Sequence, residues 1–222
     1  METSIKCYTV SWDEAYRLAI RLAHKIIESG YKPDIVVGIA RGGLVPARMV
    51  CDFLLQDELM SIQTEHWDIA SKHEIARLKF SLPNEADISG KNVLVVDDVA
   101  DTGDSFSVIM DYLEQKNPME IRTAVLQYKT SSTVVPDYWG EKLEEWNWII
   151  YPWAFYEDLA GFVQKLLSKP ATNEEIRNGL LCNFNIKISI NDLLGMLNDF
   201  HNLGTIKKSK KNKKILWEKV EP

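Results

Sequence analysis

Cysteine is scarce: the 222 residues hold three, Cys7, Cys51 and Cys182, far apart and without a Cys-x-x-Cys spacing. An odd, scattered set supports neither a disulfide framework nor a zinc site, and it suits a reducing cytoplasm. Histidine is nearly as rare, and His24, His66, His73 and His201 have nothing at ligand spacing, which argues against a histidine-held metal. No apolar run approaches the roughly 20 residues that span a bilayer, and METSIKCYTVSWDEAY lacks the basic-then-apolar export pattern. The expectation is a soluble, cytoplasmic protein with no membrane contact. Positive charge is also short, 26 Lys and Arg against 32 Asp and Glu, so the chain does not coat nucleic acid over its whole surface, although a local patch stays open. What is present is ordinary for a globular protein, 45% hydrophobic and 26% charged, in a length suited to one domain and a small second one.

Ser11 and Glu14 have capping-box spacing; Ala15, Leu18, Leu22 and Ile26 then mark one helical face that ends at Gly30. DIVVGIA, residues 34–40, reads as a strand, with Arg41-Gly42-Gly43 as its turn and LVPARMVCDFLL as a following helix. The pattern recurs in LMSIQTEHW, NVLVVDD, the helical stretch 103–116 and IRTAVLQY. Continuous aliphatic strands alternating with helices predict an α/β fold with a mostly parallel central sheet flanked by helices. Ligands of such sheets bind outside the carboxyl ends of the strands, where both glycine-bearing loops fall. Residues 67–90 turn polar and irregular, with charges of both signs, and read as a lid.

The stretch VLVVDDVADTGDSF, residues 93–106, carries the chemistry. Asp101, Thr102, Gly103, Asp104 and Ser105 form a turn into a helix, where backbone amides and hydroxyls make an anion site suited to a terminal phosphate. Asp97 and Asp98 would repel that phosphate, so they must face another part of the ligand. Adjacent carboxylates accept from the vicinal hydroxyls of a ribose, or hold a hydrated magnesium ion. The motif in this context predicts a ribose 5-phosphate with a metal nearby.

That stretch resembles the 5-phosphoribosyl 1-pyrophosphate (PRPP) signature of the type I phosphoribosyltransferases, and GIARGGLVPARM resembles their pyrophosphate loop. The resemblance covers residues 1–169. It implies that Asp97 and Asp98 bind the ribose hydroxyls, directly or through water on Mg2+, and that residues Asp101, Thr102, Gly103, Asp104 and Ser105 wrap the 5-phosphate. Ala40, Arg41, Gly42 and Gly43 would hold pyrophosphate, with the Ala40–Arg41 peptide cis. Asp101, the third aspartate, would handle the proton on the imidazole side of the base.

YKTS and NWIIYPW resemble the purine end of the xanthine-guanine branch, which implies that Trp148 stacks on the base, the Ile149 backbone reads its edge and Lys129 donates to the oxygen at position 6. An ammonium has three donors and no acceptor, so it suits an oxopurine and meets the amino group of adenine donor to donor. The implied reaction joins guanine, hypoxanthine or xanthine to PRPP in a homo-oligomer, a dimer or tetramer. The lid would exclude water; the relatives' Ser-Tyr pair is absent there, and Glu65-His66-Trp67 lies nearby.

The resemblance stops where composition changes at Pro170. Thr172 and Glu175 repeat the capping-box spacing; Ile190, Leu193, Leu194 and Leu197 make a helical stripe; GTIKK and KILWEKV flank a lysine-rich turn. Residues 170–222 therefore read as a separable, winged-helix-like domain. Lys207, Lys208, Lys210, Lys211, Lys213 and Lys214 would suit a phosphate backbone. The second helix has no arginine, carries Asp192 and Asp199, and leaves Asn191, Asn198 and Asn202 as base readers. Packing or oligomerisation is the first reading of this domain and nucleic-acid contact the second. Two alternatives to the oxopurine enzyme remain: a transcriptional regulator sensing PRPP or a nucleotide, and a transferase for another base.

Overall fold

The computed structural model describes residues 5–67, 75–211 and 214–220. In chain order its elements are β1 (Cys7–Thr9), α1 (Trp12–Glu28), β2 (Ile35–Ala40), α2 (Leu44–Leu54), β3 (Leu59–Trp67), β4 (Ile75–Phe80), β5 (Asn92–Ala100) and α3 (Asp104–Glu114). There follow β6 (Glu120–Lys129), β7 (Tyr138–Leu143), β8 (Trp148–Ile150), α4 (Phe155–Leu166), α5 (Asn173–Phe184), α6 (Ile190–Asn202), β9 (Ile206–Lys211) and β10 (Lys214–Lys219). They group into two compact units, Asp13–Trp146 and a second built from Met1–Trp12 with Asn147–Pro222.

The unit Asp13–Trp146 is organised around a six-stranded sheet of order β4-β3-β2-β5-β6-β7. Its strands pair in parallel except β3 with β4. The aliphatic runs predict this: β2 and the first half of β5 are buried on both faces, as strands covered by helices on each side must be. Ile35, Val37, Ile39, Val93 and Val95 form one cluster with Phe106, Ile109 and Leu113 of α3. Each such side chain contributes about 1.5–3 kcal/mol on burial. Helix α1 buries Ala15, Leu18, Leu22 and Ile26, the stripe its sequence predicts, and Gly30 follows with a φ of 75°.

Connectivity creates the site. The chain runs from β2 through α2 to β3 on one side, then returns to β5 on the other side of β2. Strand order thus diverges between β2 and β5, and loops leaving their carboxyl ends open a crevice where an α/β sheet binds ligands.

The polar stretch after Trp67 is not all loop. Residues 75–80 form β4, antiparallel to β3, and the mixed charges are partners across the two strands: Glu65 accepts from Arg77 at 2.6 and 2.8 Å and pairs with Lys79 at 3.1 Å. The two arginine and lysine partners hold the Glu65 carboxyl below the usual carboxylate range. Residues 68–74, including His73, lie outside the described residues, as do the side chains of His66 and Trp67.

In the second unit β1 lies parallel to β8, with Cys7 opposite Trp148 and Thr9 opposite Ile150. Helices α4, α5 and α6 and the hairpin β9–β10 share one apolar cluster that includes Leu159, Phe162, Ile176, Leu180, Leu197, Phe200 and Trp217. The expected division after residue 169 thus falls inside this unit. The capping box of Thr172 and Glu175 is formed, and Ser189 caps α6 by accepting from the Asp192 amide. Trp217 is fully buried; its backbone bridges to Ala171 and its indole donates to Asn173 at 2.5 Å. On the hairpin Lys211 faces Lys214, whereas Lys208 lies over the Trp217 ring and donates to Asn198. The Asn198 amide group also donates back to Leu194 O, so this asparagine is engaged inside its own unit. Lys213 lies outside the described residues. Among the described residues no helix is long and apolar enough to cross a membrane.

Candidate functional site

The two loops singled out by sequence leave neighbouring strands, β2 and β5, which are paired from Ile35↔Val93 to Gly38↔Val96. The Ala40–Arg41 peptide is cis, as the resemblance implies. Beyond it the chain tightens, with the Gly43 amide donating to Ile39 O at 2.8 Å, and α2 begins at Leu44. Proximity explains both glycines. A Cβ on Gly43 would lie 2.5 Å from Val96 O and 2.8 Å from Asp97 Cα, and one on Gly42 would overlap the Asp98 carboxylate. Ala40, Arg41, Gly42 and Gly43 are thereby brought against Asp97 and Asp98, while the Arg41 side chain is exposed.

Asp97 and Asp98 end the buried part of β5. Burial first, and then the neighbouring Asp98 carboxylate, push the Asp97 carboxyl well above its usual range, and the Asp98 amide, donating at 2.9 Å, partly offsets this. Two adjacent acids under that mutual pressure are suited to a cation or to hydroxyl donors. No cluster of three or more His, Cys, Asp or Glu at metal-holding geometry exists among the described residues.

A cleft of about 200 Å³ runs along this strand end, lined by Asp97, Asp98, Asp101, Thr102, Gly103 and Ser105. A larger hollow of about 640 Å³ lies beside Ala40, lined by Leu44, Met60 and Phe80; it lacks the converging carboxylates and amides of the smaller one. The turn at residues 101–103 enters α3 at Gly103, whose φ of 94° and approach to Val134 N and Ser132 Oγ exclude a larger residue. The Thr102 hydroxyl donates to Asp104 at 2.8 Å, so these two side chains hold each other. Ser105 accepts from Thr64 at 3.2 Å, which leaves its own hydrogen as a donor. From below, Thr133 donates through its amide and its hydroxyl to Thr102 O, at 2.9 and 2.8 Å. Thr64 and Thr133 were not singled out from sequence; the hydroxyl run Thr130-Ser131-Ser132-Thr133 after a strand was the available signal.

At the end of β6, Lys129 is buried, with 3% of its surface exposed, and donates to Asp101 Oδ2 at 2.7 Å. The other oxygen, Oδ1, accepts from the Trp146 indole at 3.1 Å. The Lys129 ammonium also lies 4.9 Å from the centre of that indole ring. Trp146 stands just before the NWIIYPW motif that contains Trp148 and carries no motif of its own.

Trp148 and Ile149 belong to the second unit, on β8. The Trp148 indole donates to Asp158 at 3.2 Å and its ring meets Phe162 edge-on, yet it keeps 41% exposure. Burial, opposed by that indole bond and assisted by Glu157, raises the Asp158 carboxyl above its usual range. His201 is turned toward Ile206 O and the edge of Trp217, a packing role.

A family model described as the phosphoribosyl transferase domain matches residues 11–158, which contain both loops, Lys129 and Trp148. The chain belongs to the phosphoribosyltransferase family. This phosphoribosyltransferase is 27% identical over 170 residues to the xanthine-guanine phosphoribosyltransferase of Nitratidesulfovibrio vulgaris, covering 74% of the chain and 93% of that relative. It is similar to the crystal structure of a purine phosphoribosyltransferase from Pyrococcus horikoshii Ot3, with 32% identity and a TM-score of 0.59 over 67% of this chain and 94% of the other. A Neisseria gonorrhoeae protein described as hypothetical and crystallised with bound ppGpp is also similar, with 28% identity and a TM-score of 0.60 over 68% and 91% of the two chains.

Proposed function

We propose that this phosphoribosyltransferase serves purine salvage, converting PRPP and guanine, hypoxanthine or xanthine into the nucleoside 5′-monophosphate and pyrophosphate. The observation that carries the reading is Lys129, a nearly sealed ammonium delivered by β6 onto Asp101 of the 101–105 loop. A buried group with donors and no acceptor selects a base that offers oxygen and rejects one that offers an amino group. The relatives named for xanthine, guanine and purine support the same choice.

In this reading Asp97 and Asp98 accept from the ribose hydroxyls. The amides of residues 102–105 and the Ser105 hydroxyl take the 5-phosphate, and Arg41 with the Gly42 amide takes pyrophosphate, while the Gly43 amide stays on Ile39 O and tightens the loop. The paired carboxylates fit a hydrated hard cation, because they are oxygen donors and one of them is held in a proton-seeking state that positive charge relieves. Mg2+ held there through water would supply positive charge toward the departing pyrophosphate. The bond from C1 of the ribose to the pyrophosphate oxygen breaks, and its electron pair leaves with pyrophosphate. The bond from C1 to N9 of the purine forms, and the proton displaced from the imidazole ring passes to Asp101. Each Asp101 oxygen keeps a second lone pair beyond the bonds from Lys129 and Trp146, so the carboxylate can still accept. Lys129 donates to the 6-oxygen of the base.

Residues 170–222 are proposed as a winged-helix-like addition to the transferase domain of residues 1–169, serving packing and assembly into a dimer or tetramer. The engagement of Lys208 and Asn198 inside the unit supports packing over nucleic-acid contact.

The test is turnover by purified protein with magnesium and PRPP against guanine, hypoxanthine, xanthine and adenine separately. Oxopurine turnover with adenine inert is expected, and Lys129→Ala should cut kcat/KM for the oxopurine by about 100-fold while leaving adenine nearly unchanged. PRPP binding without turnover of any base would sink the enzyme reading and favour the sensor.

A further inference from the structure

Trp146, Asp101 and Lys129 form a closed set in which each group touches the other two. Lys129 donates to Asp101 Oδ2 at 2.7 Å, Trp146 donates to Asp101 Oδ1 at 3.1 Å, and the Lys129 ammonium rests 4.9 Å from the Trp146 ring centre. The two donors act differently on the carboxylate. An ammonium on a flexible four-carbon stem attracts one oxygen without setting a direction. A second donor on the other oxygen fixes the rotation of the carboxylate plane.

The ring does something else for the lysine. Its negative face attracts the ammonium without consuming any of the three N–H groups, so Lys129 stays in place while donors remain for a ligand. Trp146 is half exposed, at 50%, and follows β7 in a polar segment, so filling a core does not account for it.

We propose that Trp146 is a positioning residue for the transfer reaction, holding the Asp101 carboxylate and the Lys129 ammonium in the one arrangement that lets the first take the purine proton and the second meet the purine oxygen. The role rests on the transferase reading above. It assigns the two parts of the indole separate tasks, the N–H to turnover and the ring face to base choice.

Three variants of the full chain separate these tasks, assayed with magnesium, PRPP and either guanine or adenine. Trp146→Phe keeps a ring face and loses the N–H; it should lower kcat about tenfold, leave KM for PRPP unchanged and preserve the guanine preference. Trp146→His restores a ring N–H and should recover part of kcat. Trp146→Ala loses both and should also narrow the guanine preference by about tenfold or more. Wild-type kcat in Trp146→Phe overturns the role while leaving the transferase reading intact. So does a fall in kcat together with a rise in both KM values and a lower melting temperature, which would mark a packing residue. No oxopurine turnover by the unchanged protein sinks the transferase reading and this role with it.

Discussion

Lys129 donates to Asp101 across 2.7 Å, with 4% of the lysine side chain exposed against 38% of the aspartate. The pair is therefore lopsided: one charge is inside and depends on the other, which still sees water. Removing the exposed partner strands a buried ammonium, whereas removing the buried one leaves a carboxylate that solvent can satisfy. Asp101→Ala should destabilise the fold by about 3 kcal/mol and Lys129→Met by about 1 kcal/mol or less. Denaturant melts of the two variants check the order, and equal losses would contradict it.

Glycine at 43 is required by backbone on three sides. A methyl group there meets Val96 O, Ile39 O and Asp97 Cα at 2.5–2.8 Å, none of which can swing aside. Gly43→Ala should cost about 3 kcal/mol and disturb the Asp97 end of β5. Gly161, inside α4, has open space where a Cβ would go, so Gly161→Ala should stabilise by about 0.5–1 kcal/mol. Thermal unfolding of the two variants should move in opposite directions.

Asp158 offers a pH test. Burial raises its folded-state pKa above the roughly 3.9 of a free aspartate, so the folded form binds the proton more tightly than the unfolded one. That contribution favours the fold below about pH 4 and is lost as pH rises through the raised value. Asn at this position imitates the protonated acid and still accepts from Trp148. Asp158→Asn should melt higher than the unchanged protein at pH 7, with the gap closing toward pH 4. A gap independent of pH would show that burial of the charge is not the cause.

Composition changes at Pro170, and side chains on both sides of that point share one apolar cluster. Leu159, Phe162, Val163 and Leu167 are each 3% exposed or less, and the cluster that covers them comes from α5, α6 and the hairpin. Ending the chain after Lys169 should uncover these side chains and abolish a cooperative melt of the remaining Asn147–Lys169 segment. A soluble, fully active truncated enzyme would overturn this.

The strands that build the crevice were legible because β2 and β5 are unbroken aliphatic runs ending in charge and glycine, a pattern with few other physical meanings. So were α1, α5 and α6, whose stripes and caps are local. Strands β1 and β8 have three residues each and exist through pairing with each other, which no local window contains. The alternation in IARLKF was masked by its charges, since Arg77 and Lys79 become intelligible only beside Glu65 of β3. Within the site, motif residues were visible as motifs. Trp146 was not, because its meaning is a contact with Lys129 and Asp101, 17 and 45 residues earlier in the chain.

The pairing of Cys7 with Trp148 also dictates an order of events during synthesis. About 140 residues separate β1 from its partner, which at 5–20 residues per second is a wait on the order of ten seconds. Asp13–Trp146 holds both glycine-bearing loops and its own sheet, so it can collapse on the ribosome before β8 emerges. The first strand made is thus among the last to be paired, and until then it is an open edge. Bulky fusions set close before Cys7 should slow this late step, whereas those placed after Val220 arrive once it is under way.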